Sequence, residues 1–513
     1  MSHFLIQLLF CLFAEDTGLL PDRLFTGLVE QTRTRPQAFK VQLEQLFAAM
    51  STGGWFGPVE IMHFNGKLFE DSRGLELDGE CMDILVRVSR VNWSSIEPSI
   101  LGTLFERSLD PSKRAQLGAH YTSKEDIMLI VEPVLMAPLR KKWAAMKAQA
   151  HDLAMQRDQA KGRRAANLQD KLASLLLDFA AELAGVRVLD PACGSGNFLY
   201  VALRQLLDLW KEVSVLAFEL ALHSLAPTTG LSPSPAQLHG IEVIEYANQL
   251  AQATIQIGYI RLMDAILAYD EEGRPVEPKW PIADVIIGNP PFLGWNKIRQ
   301  ELGDMYVNDL FHLYAGRIPA FADLVCYWFE KSRALLAEGK AKRSGLLATN
   351  SIRGGANRRV LERIKETGNI FWAQSDRDWI LEGAAVNVSM VGFDDASELS
   401  CILDNRQVIN INPDLTSTID LTAALRLREN QGICFMGASP KGPFDIKWDT
   451  AQQMLLSPTN VNGRPNSDVV RPVASGIDLV QRPREFWTID FGLMSLQEAA
   501  QYERPFEYVK NQM

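Results

Sequence analysis

The stretch Val188–Leu199 constrains the fold of this chain more than any other feature. It consists of the residues Val-Leu-Asp-Pro-Ala-Cys-Gly-Ser-Gly-Asn-Phe-Leu, an apolar run that leads into a glycine turn. Glycine allows a tight turn and a close backbone approach to another group. Amides at the start of a helix are free to bind an anionic group in front of it. The pattern predicts a strand, a turn and a helix with a ligand at the turn; a tight turn without a ligand is the alternative.

A second apolar strand, Ile286–Gly288, runs directly into Asn289, Pro290, Pro291 and Phe292. The prolines restrict the backbone and remove two amide donors. The Asn289 amide oxygen and the Pro290 carbonyl oxygen can therefore accept both hydrogens of an amine, and Phe292 offers a face for base stacking. We interpret this element as a clamp for the exocyclic amine of an extruded base, which predicts methyl transfer. An ordinary Asn-Pro turn is the alternative.

Between residues 187 and 393, short apolar segments alternate with amphipathic segments. This alternation predicts an α/β fold, with a mostly parallel sheet that is covered by helices on both faces. Ligands bind beyond the carboxyl ends of the strands in such sheets. We therefore expect the glycine turn and the Asn289 clamp at the same edge. The predicted strands are residues 187–189, 237–241, 285–287, 345–348 and 388–392.

Two acidic residues follow the glycine turn in the order expected for a nucleoside site. Glu242 ends the second predicted strand, where its carboxylate would accept hydrogen bonds from ribose hydroxyls. Asp264 is positioned to accept a hydrogen bond from an adenine amino group. For each residue, a helix cap or a solvated acid is the alternative interpretation.

The formal net charge of −10 argues against nucleic-acid binding by bulk electrostatics, but a local basic cleft remains compatible with it. A set of basic residues surrounds the predicted strand 345–348, and phosphate binding or simple solvation would explain it. Its members are Lys340, Lys342, Arg343, Arg353, Arg358 and Arg359.

The rest of the chain has the composition of a globular protein. Six cysteines and seven histidines without regular spacing favour neither a disulfide framework nor a metal site, and indicate a reducing cytoplasm. The apolar run Phe4–Phe13 is too short to span a bilayer and predicts a buried helix. Residues before about 118 are predicted to be mostly helical, and residues 135–183 to form one or two long helices.

Six strings of the sequence together resemble a known family. They are Leu104–Pro111, Gly118–Ser123, Asp190–Leu199, Asn289–Phe292, Asp323–Trp328 and Thr349–Arg358. With them the chain resembles the gamma group of amino-methylating DNA methyltransferases and, more closely, the methylase half of MmeI-like (type IIL) restriction–modification enzymes.

The resemblance implies a Rossmann-like class I fold dependent on S-adenosyl-L-methionine, with a mostly parallel seven-stranded sheet. It implies adenine N6 in double-stranded DNA as the target, with no membrane partner, and Asn289, Pro290, Pro291 and Phe292 at the base site. The implied cofactor-binding residues are Tyr121, Thr122, Asp190, Pro191, Gly194, Gly196, Asn197, Phe198, Glu242 and Asp264.

The resemblance also predicts the domain organisation. We expect a helical spacer domain at residues 1–115, a methyltransferase domain at 116–430 and the start of a target-recognition domain at 431–513. The family's nuclease is expected to be absent and its target-recognition domain cut short, so that a separate nuclease or target-recognition partner is possible. The alternatives are a non-catalytic or partner-dependent subunit, and a methyltransferase acting on RNA or protein glutamine.

Overall fold

The computed structural model divides the 513-residue chain into two compact units, residues 1–423 and 424–513. Both predicted domain boundaries, at 115/116 and 430/431, lie outside the described residues, and so does Tyr121. The structure describes residues 2–16, 20–21, 23–61, 67–93, 122–222, 231–255, 259–381, 384–418, 427, 429, 444–473, 486–492 and 494–512.

The amino-terminal part of the first unit is mainly helical, as predicted. Its elements are α1 (Ser2–Asp16), α2 (Leu24–Thr32), α3 (Pro36–Thr52), the hairpin β1 (Gly54–Phe56) and β2 (Val59–Ile61), and α4 (Gly79–Val88). Phe25, Leu28, Phe39 and Leu43 recur at helical spacing and are buried in one apolar core. The apolar run Phe4–Phe13 lies within α1, which confirms the predicted helix. The hairpin was not predicted.

A second group of helices leads into the sheet and flanks its first strands. It comprises α5 (Lys124–Val131), α6 (Ala137–Gln159), α7 (Arg163–Gly185), α8 (Asn197–Glu219) and α9 (Glu245–Ile255). A π-helical turn, Glu132–Met136, connects α5 to α6. Helices α6 and α7 confirm the long helices predicted for residues 135–183. Within the described ranges, no helix has the length and apolar character needed to cross a membrane.

Most strands of the first unit join one large sheet. In chain order the strands are β3 (Val188–Asp190), β4 (Leu238–Glu242), β5 (Tyr259–Leu262), the small hairpin β6 (Ala268–Tyr269) and β7 (Pro275–Val276), β8 (Val285–Gly288), β9 (Arg343–Thr349), β10 (Asn369–Leu381), β11 (Ala384–Asp394), β12 (Cys401–Leu403) and β13 (Arg406–Val408). Among the described residues, nine of them form a sheet of order β13-β12-β10-β11-β9-β8-β3-β4-β5.

Five of the eight neighbouring pairs in this described sheet are parallel, which confirms the mostly parallel α/β prediction. Every predicted strand is present, although the ends differ; β11, for example, begins four residues before the predicted start at 388. The expected seven strands are extended by the short strands β12 and β13, which add to the edge beyond β10.

The central strands are buried on both faces, because helices cover both sides of the sheet. Val285 and Ile287 of β8 belong to one apolar core, whereas Ile286 belongs to the other. Successive side chains of a strand point to opposite faces, so both faces of β8 are buried. The first core is formed with α5–α8. The second is formed with the helices α10 (Trp295–Leu302), α11 (Asp304–Leu313), α12 (Cys326–Ala337) and α13 (Arg358–Thr367).

The parallel neighbours β8, β3 and β4 end at the same edge of the sheet. The contact between β3 and β8 is close at this edge: a β-carbon on Gly288 would lie 2.5 Å from Asp190 Oδ1. Glycine at 288 therefore leaves the space that the Asp190 carboxyl group occupies. The turns after these strands carry the predicted functional residues.

The second unit has a small core of its own. Its described elements are β14 (Asp445–Ile446), α14 (Trp448–Leu455), β15 (Val470–Pro472), β16 (Trp487–Ile489), α15 (Leu496–Ala499) and α16 (Glu503–Gln512). The strands pair antiparallel in the order β14-β16-β15. Ile446, Met454, Val470 and Ile489 are buried together between the strands and helices.

We expect Gly288→Ala to destabilise the chain, because its β-carbon would overlap Asp190 Oδ1. Overpacking of this kind typically costs about 1–3 kcal/mol. Gly185→Ala is the matched control, since a β-carbon on Gly185 meets no atom within 4 Å. Urea unfolding measures both changes, and equal midpoints for the two variants would contradict the close contact.

Candidate functional site

The glycine turn after β3 has the backbone geometry that the sequence predicts. Gly194 and Gly196 have φ angles of 51° and 85°, in the left-handed region that favours glycine. The Gly196 N–H donates to the Cys193 carbonyl oxygen at 2.7 Å, and α8 begins at the next residue. A β-carbon on Gly196 would lie 3.0 Å from Ile255 Cδ1, so the turn also packs tightly against α9.

Asp190 and Pro191 connect β3 to this turn. The Ala192 N–H donates to Asp190 Oδ1 at 3.0 Å, and the Trp328 indole N–H donates to the Pro191 carbonyl oxygen at 3.0 Å. Asp190 is 1% exposed. Burial raises the pKa of its carboxyl group to about 8, and the nearby charge of Glu242 adds to the effect. Trp328 of α12 was not predicted to support this turn.

Glu242 fastens the end of β4 to the glycine turn. Its Oε2 accepts the Gly194 N–H at 2.9 Å, and its Oε1 accepts the Ile244 N–H at 2.8 Å. The side chain is buried, and desolvation raises the pKa of its carboxyl group. The predicted position at the strand end is therefore confirmed, while its contact with ribose stays a prediction.

Asp264 lies at a turn that follows β5. Its Oδ1 accepts the N–H groups of Ile266 and Leu267 at 2.8 and 3.1 Å. This oxygen therefore closes a turn before β6, where no helix begins, so the helix-cap interpretation is wrong. Its Oδ2 accepts a hydrogen bond from the Tyr306 hydroxyl group at 2.8 Å. Tyr306 lies 42 positions away in the chain, and no local sequence signal connects the two. The contact of Asp264 with an adenine amino group stays a prediction.

The Asn289 amide is held in one orientation. Its Nδ2 donates to Thr122 Oγ1 at 3.0 Å, across 167 positions of sequence. Its Oδ1 is buried and has no hydrogen-bond donor among the described residues. Because Thr122 engages the nitrogen, the oxygen is left as the free acceptor of the amide. Thr122 was predicted to face a cofactor; the structure gives it this contact with the clamp.

The neighbours of Asn289 complete the clamp. Pro290 is buried, whereas Pro291 and Phe292 are partly exposed. Phe292 packs against the cores on both sides of the sheet, which leaves part of its ring outside them. On the cofactor side, Phe198 is buried, and Asn197 has a buried Oδ1 without a donor in the described chain.

Two strings that carry the family resemblance form one hydrogen-bonded network. The Asp323 N–H donates to Asn357 Oδ1 at 2.7 Å, and Asn357 Nδ2 donates to Asp323 Oδ2 at 2.6 Å. The Ser351 hydroxyl group also donates to Asp323 Oδ2, at 2.7 Å. This network ties the start of α12 to the turn after β9, beside the clamp.

The helix start before the clamp is also as predicted. The Ser123 hydroxyl oxygen accepts the Asp126 N–H at 3.1 Å and caps α5. Thr122 immediately precedes this cap. The cap therefore fixes the position from which Thr122 reaches Asn289.

The prediction of one basic cluster around β9 is wrong. Lys340, Lys342 and Arg343 lie at the amino end of β9, opposite the edge that carries Asn289. They pair with Glu338, Asp284 and Glu398, respectively. Arg353, Arg358 and Arg359 follow the carboxyl end of the strand. A strand of seven residues separates the two groups, and this separation is not visible in composition.

Two family models match the chain. The model described as the MmeI helicase spacer domain matches residues 1–69. The model described as the MmeI DNA-methyltransferase domain matches residues 163–284 and 281–404. Together they cover more than half of the chain.

Among curated proteins, DNA methyltransferase A of Bacillus subtilis (strain 168) is 26% identical over 482 residues, which cover 83% of this chain and 50% of that protein. A putative type II restriction enzyme and methyltransferase of Methanocaldococcus jannaschii is 24% identical over 300 residues, covering 50% of this chain and 24% of that protein. The chain thus spans about half the length of the first relative and about a quarter of the second.

Among solved structures, the type IIL restriction–modification enzyme MmeI in complex with DNA superposes with a TM-score of 0.69. The two chains are 23% identical, and the match covers 99% of this chain and 71% of the other. This likeness supports the fold.

We expect Asp190→Asn to reduce the loss of stability that occurs as the pH rises. The raised pKa means that the folded chain binds more protons than the unfolded chain between pH 3.8 and about 8. The free energy of unfolding therefore falls across this window for the parent chain. The variant carries no titrating carboxyl group there, so it should gain at least about 1 kcal/mol relative to the parent between pH 5 and 8. Denaturant unfolding across the pH range measures this difference, and parallel pH profiles would contradict the buried proton.

Proposed function

We propose that this chain, which belongs to the MmeI family of DNA methyltransferases, transfers a methyl group to N6 of an adenine flipped out of double-stranded DNA. The observation that carries the proposal is the buried, free Oδ1 of Asn289, beside the glycine turn. An acceptor held in place before the substrate binds needs no reorganisation during the reaction. The proposed donor is S-adenosylmethionine, and the proposed activity is that of a site-specific adenine methyltransferase.

The cofactor residues fit a cationic ligand. S-adenosylmethionine carries a sulfonium and an ammonium group, and supplies an electrophilic methyl group when it is bound. Asp190 and Glu242 are buried carboxyl groups with raised pKa values, so a nearby positive charge would stabilise their ionised forms. Asn197 Oδ1 is a buried acceptor without a donor in the described part of the chain. We propose that these groups, with Gly194 and Gly196, hold the cofactor.

The clamp residues activate and position the amine. The N6 lone pair of adenine is delocalised into the ring, which makes this nitrogen a weak nucleophile. Asn289 Oδ1 and the Pro290 carbonyl oxygen would accept its two hydrogens and favour the pyramidal nitrogen. The lone pair of this nitrogen would form the new bond to the methyl carbon while the bond from that carbon to the donor sulfur breaks, which leaves a neutral thioether. The Phe292 ring would stack on the base. The proton leaves N6 after the transfer, so no general base is required, and the main contribution of the protein is orientation.

Methyltransferases of RNA bases or of protein glutamine are the competing enzyme class. Their substrates also carry an NH2 group, on a base or on a side-chain amide, that the same clamp would accept. The match of residues 1–69 to the MmeI spacer model and of residues 163–404 to the MmeI methyltransferase model favours DNA. We further propose that double-stranded DNA is the partner and that the reaction takes place in the cytoplasm.

Labelled S-adenosylmethionine and duplex DNA test the proposed reaction, with nucleoside analysis of the product. We expect label in N6-methyladenine, and Asn289→Ala should lower the rate by about 10²–10³, the usual cost of losing one preorganised transition-state hydrogen bond. Asn308→Ala removes an exposed amide from α11 and serves as the matched control. RNA and a glutamine-containing protein substrate are supplied in parallel reactions. Label on either of these and not on DNA, or equal rates for the two variants, would overturn the proposal.

Thr122→Val tests whether Thr122 orients the clamp. Valine has a similar shape but cannot accept the Asn289 Nδ2 hydrogen bond, so we expect kcat to fall about 10-fold to 100-fold, as for a lost buried hydrogen bond. Thr122→Ser should restore most of the activity. In the Asn289→Ala background, Thr122→Val should have little further effect. Isothermal titration calorimetry measures the affinity of the same variant for S-adenosylmethionine. A weaker affinity with an unchanged kcat would mean that Thr122 contacts the cofactor and does not orient Asn289.

A further inference from the structure

A second hollow lies beside the clamp, at the carboxyl end of β9. It is a cavity of about 850 Å³. Its lining comes from the start of α10, the segment before α12 and the turn Asn350–Asn357, and none of the clamp residues Asn289–Phe292 contributes to it. Since β9 is the parallel neighbour of β8, the cavity and the clamp open at the same sheet edge. The size falls within the range of small-molecule and cofactor sites.

Two aromatic side chains form one wall of the cavity. Trp295 and Phe321 meet edge to face, with ring centroids 5.3 Å apart. Their side chains remain exposed, with relative accessibilities of 48% and 65%. Exposed aromatic rings are suited to stacking on a flat ligand, because stacking removes their apolar faces from water.

Much of the remaining lining is polar and joined by hydrogen bonds. Asp323 accepts the Trp295 N–H at 2.9 Å, and the same carboxylate accepts the Ser351 and Asn357 hydrogen bonds described above. The Trp295 backbone is thus joined through Asp323 to Ser351 and Asn357. Asn296 and Asn350 add amide groups to the lining. Amides provide both donors and acceptors, which match the edge of a nucleobase.

The charges of the lining favour a neutral ligand over a phosphate group. Arg353 is a lining cation, and its Nε donates to the Asp414 carbonyl oxygen at 3.0 Å. The carboxylates of Asp323 and Asp414 also belong to the lining. Two carboxylates and one guanidinium give a formal charge of −1 for these three groups. A dianionic phosphate would be repelled, whereas an uncharged aromatic base would not.

We propose that this cavity binds a second nucleobase of the DNA, one that leaves the helical stack beside the target adenine. The proposal rests on the proposed function, since it needs a nucleic acid at the adjacent clamp. The base stacks on Trp295 and Phe321, and its polar edge faces Asn350 and the Asp323 network. Each stacked base in single-strand binding sites contributes roughly a 5-fold to 150-fold gain in affinity. The cavity thereby assists extrusion by holding a neighbour of the flipped base.

Photocrosslinking with a single-stranded 12-mer of thymidine, in which one base is 5-iododeoxyuridine, tests the cavity directly. We expect crosslinked peptides to contain Trp295 or Phe321. In parallel, fluorescence anisotropy compares the labelled thymidine 12-mer with a 12-mer of abasic sugar-phosphate. The double variant Trp295→Ala/Phe321→Ala should bind the thymidine 12-mer at least about 10-fold more weakly. Its affinity for the abasic 12-mer should not change.

Three controls separate the loss of stacking from a general effect of substitution. Trp55→Ala removes an exposed tryptophan from β1 and should leave both affinities unchanged. Trp295→Phe should keep most of the affinity, because the ring is retained. Asn308→Ala removes an exposed amide of α11 that does not line the cavity, and should bind the thymidine 12-mer like the parent.

Crosslinks outside the cavity, or parent-like binding by the double variant, would overturn this inference even if the parent chain methylates DNA. Absence of methyl transfer by the parent would instead overturn the proposed function, independently of where the crosslinks lie. Equal affinity of the parent for the thymidine and abasic 12-mers would also overturn the inference, since stacking requires bases.

Discussion

The site depends on the close approach of Asp190 and Gly288, at the ends of two parallel strands that pair with each other. The Asp190 carboxyl oxygen occupies the space where any other residue at 288 would have a β-carbon. The glycine turn follows one strand and the Asn289 clamp follows the other, so the strand pairing and this close approach bring the two turns side by side. Burial also raises the pKa of the Asp190 carboxyl group, so the acid at this strand end holds its proton to higher pH than an exposed aspartate does.

The orientation of Asn289 is set from outside the sheet. Ser123 caps α5, and Thr122, immediately before that cap, accepts the hydrogen bond from Asn289 Nδ2. An amide that is bound through its nitrogen leaves its oxygen free to accept a hydrogen bond, which the proposed amine clamp requires. The neighbouring turn after β9 extends the polar edge toward Asp323 and Asn357. The two proposals, the amine clamp and the second base cavity, therefore use adjacent strands of one edge.

Local patterns in the sequence were sufficient to predict the parts of the fold that depend on local physics. Apolar runs gave the central strands, because both faces of β8 and its neighbours are buried, and glycines 194 and 196 gave the turn through their φ angles. Contacts between distant residues could not be predicted. Tyr306 reaches Asp264, and Thr122 reaches Asn289, only because the fold brings them together. The basic residues near β9 were misjudged since closeness in sequence does not show which end of a strand a residue occupies. The short strands β12 and β13 carry too few residues for a periodic signal.

A crystal structure of the chain with a non-transferable analogue of S-adenosylmethionine and a duplex containing the target adenine tests the central claim most directly. The measured quantities are the distances from adenine N6 to Asn289 Oδ1 and to the Pro290 carbonyl oxygen. The account predicts that both are hydrogen bonds of about 2.7–3.2 Å, with N6 facing the cofactor side of the sheet edge. A flipped base whose N6 contacts neither oxygen would contradict it.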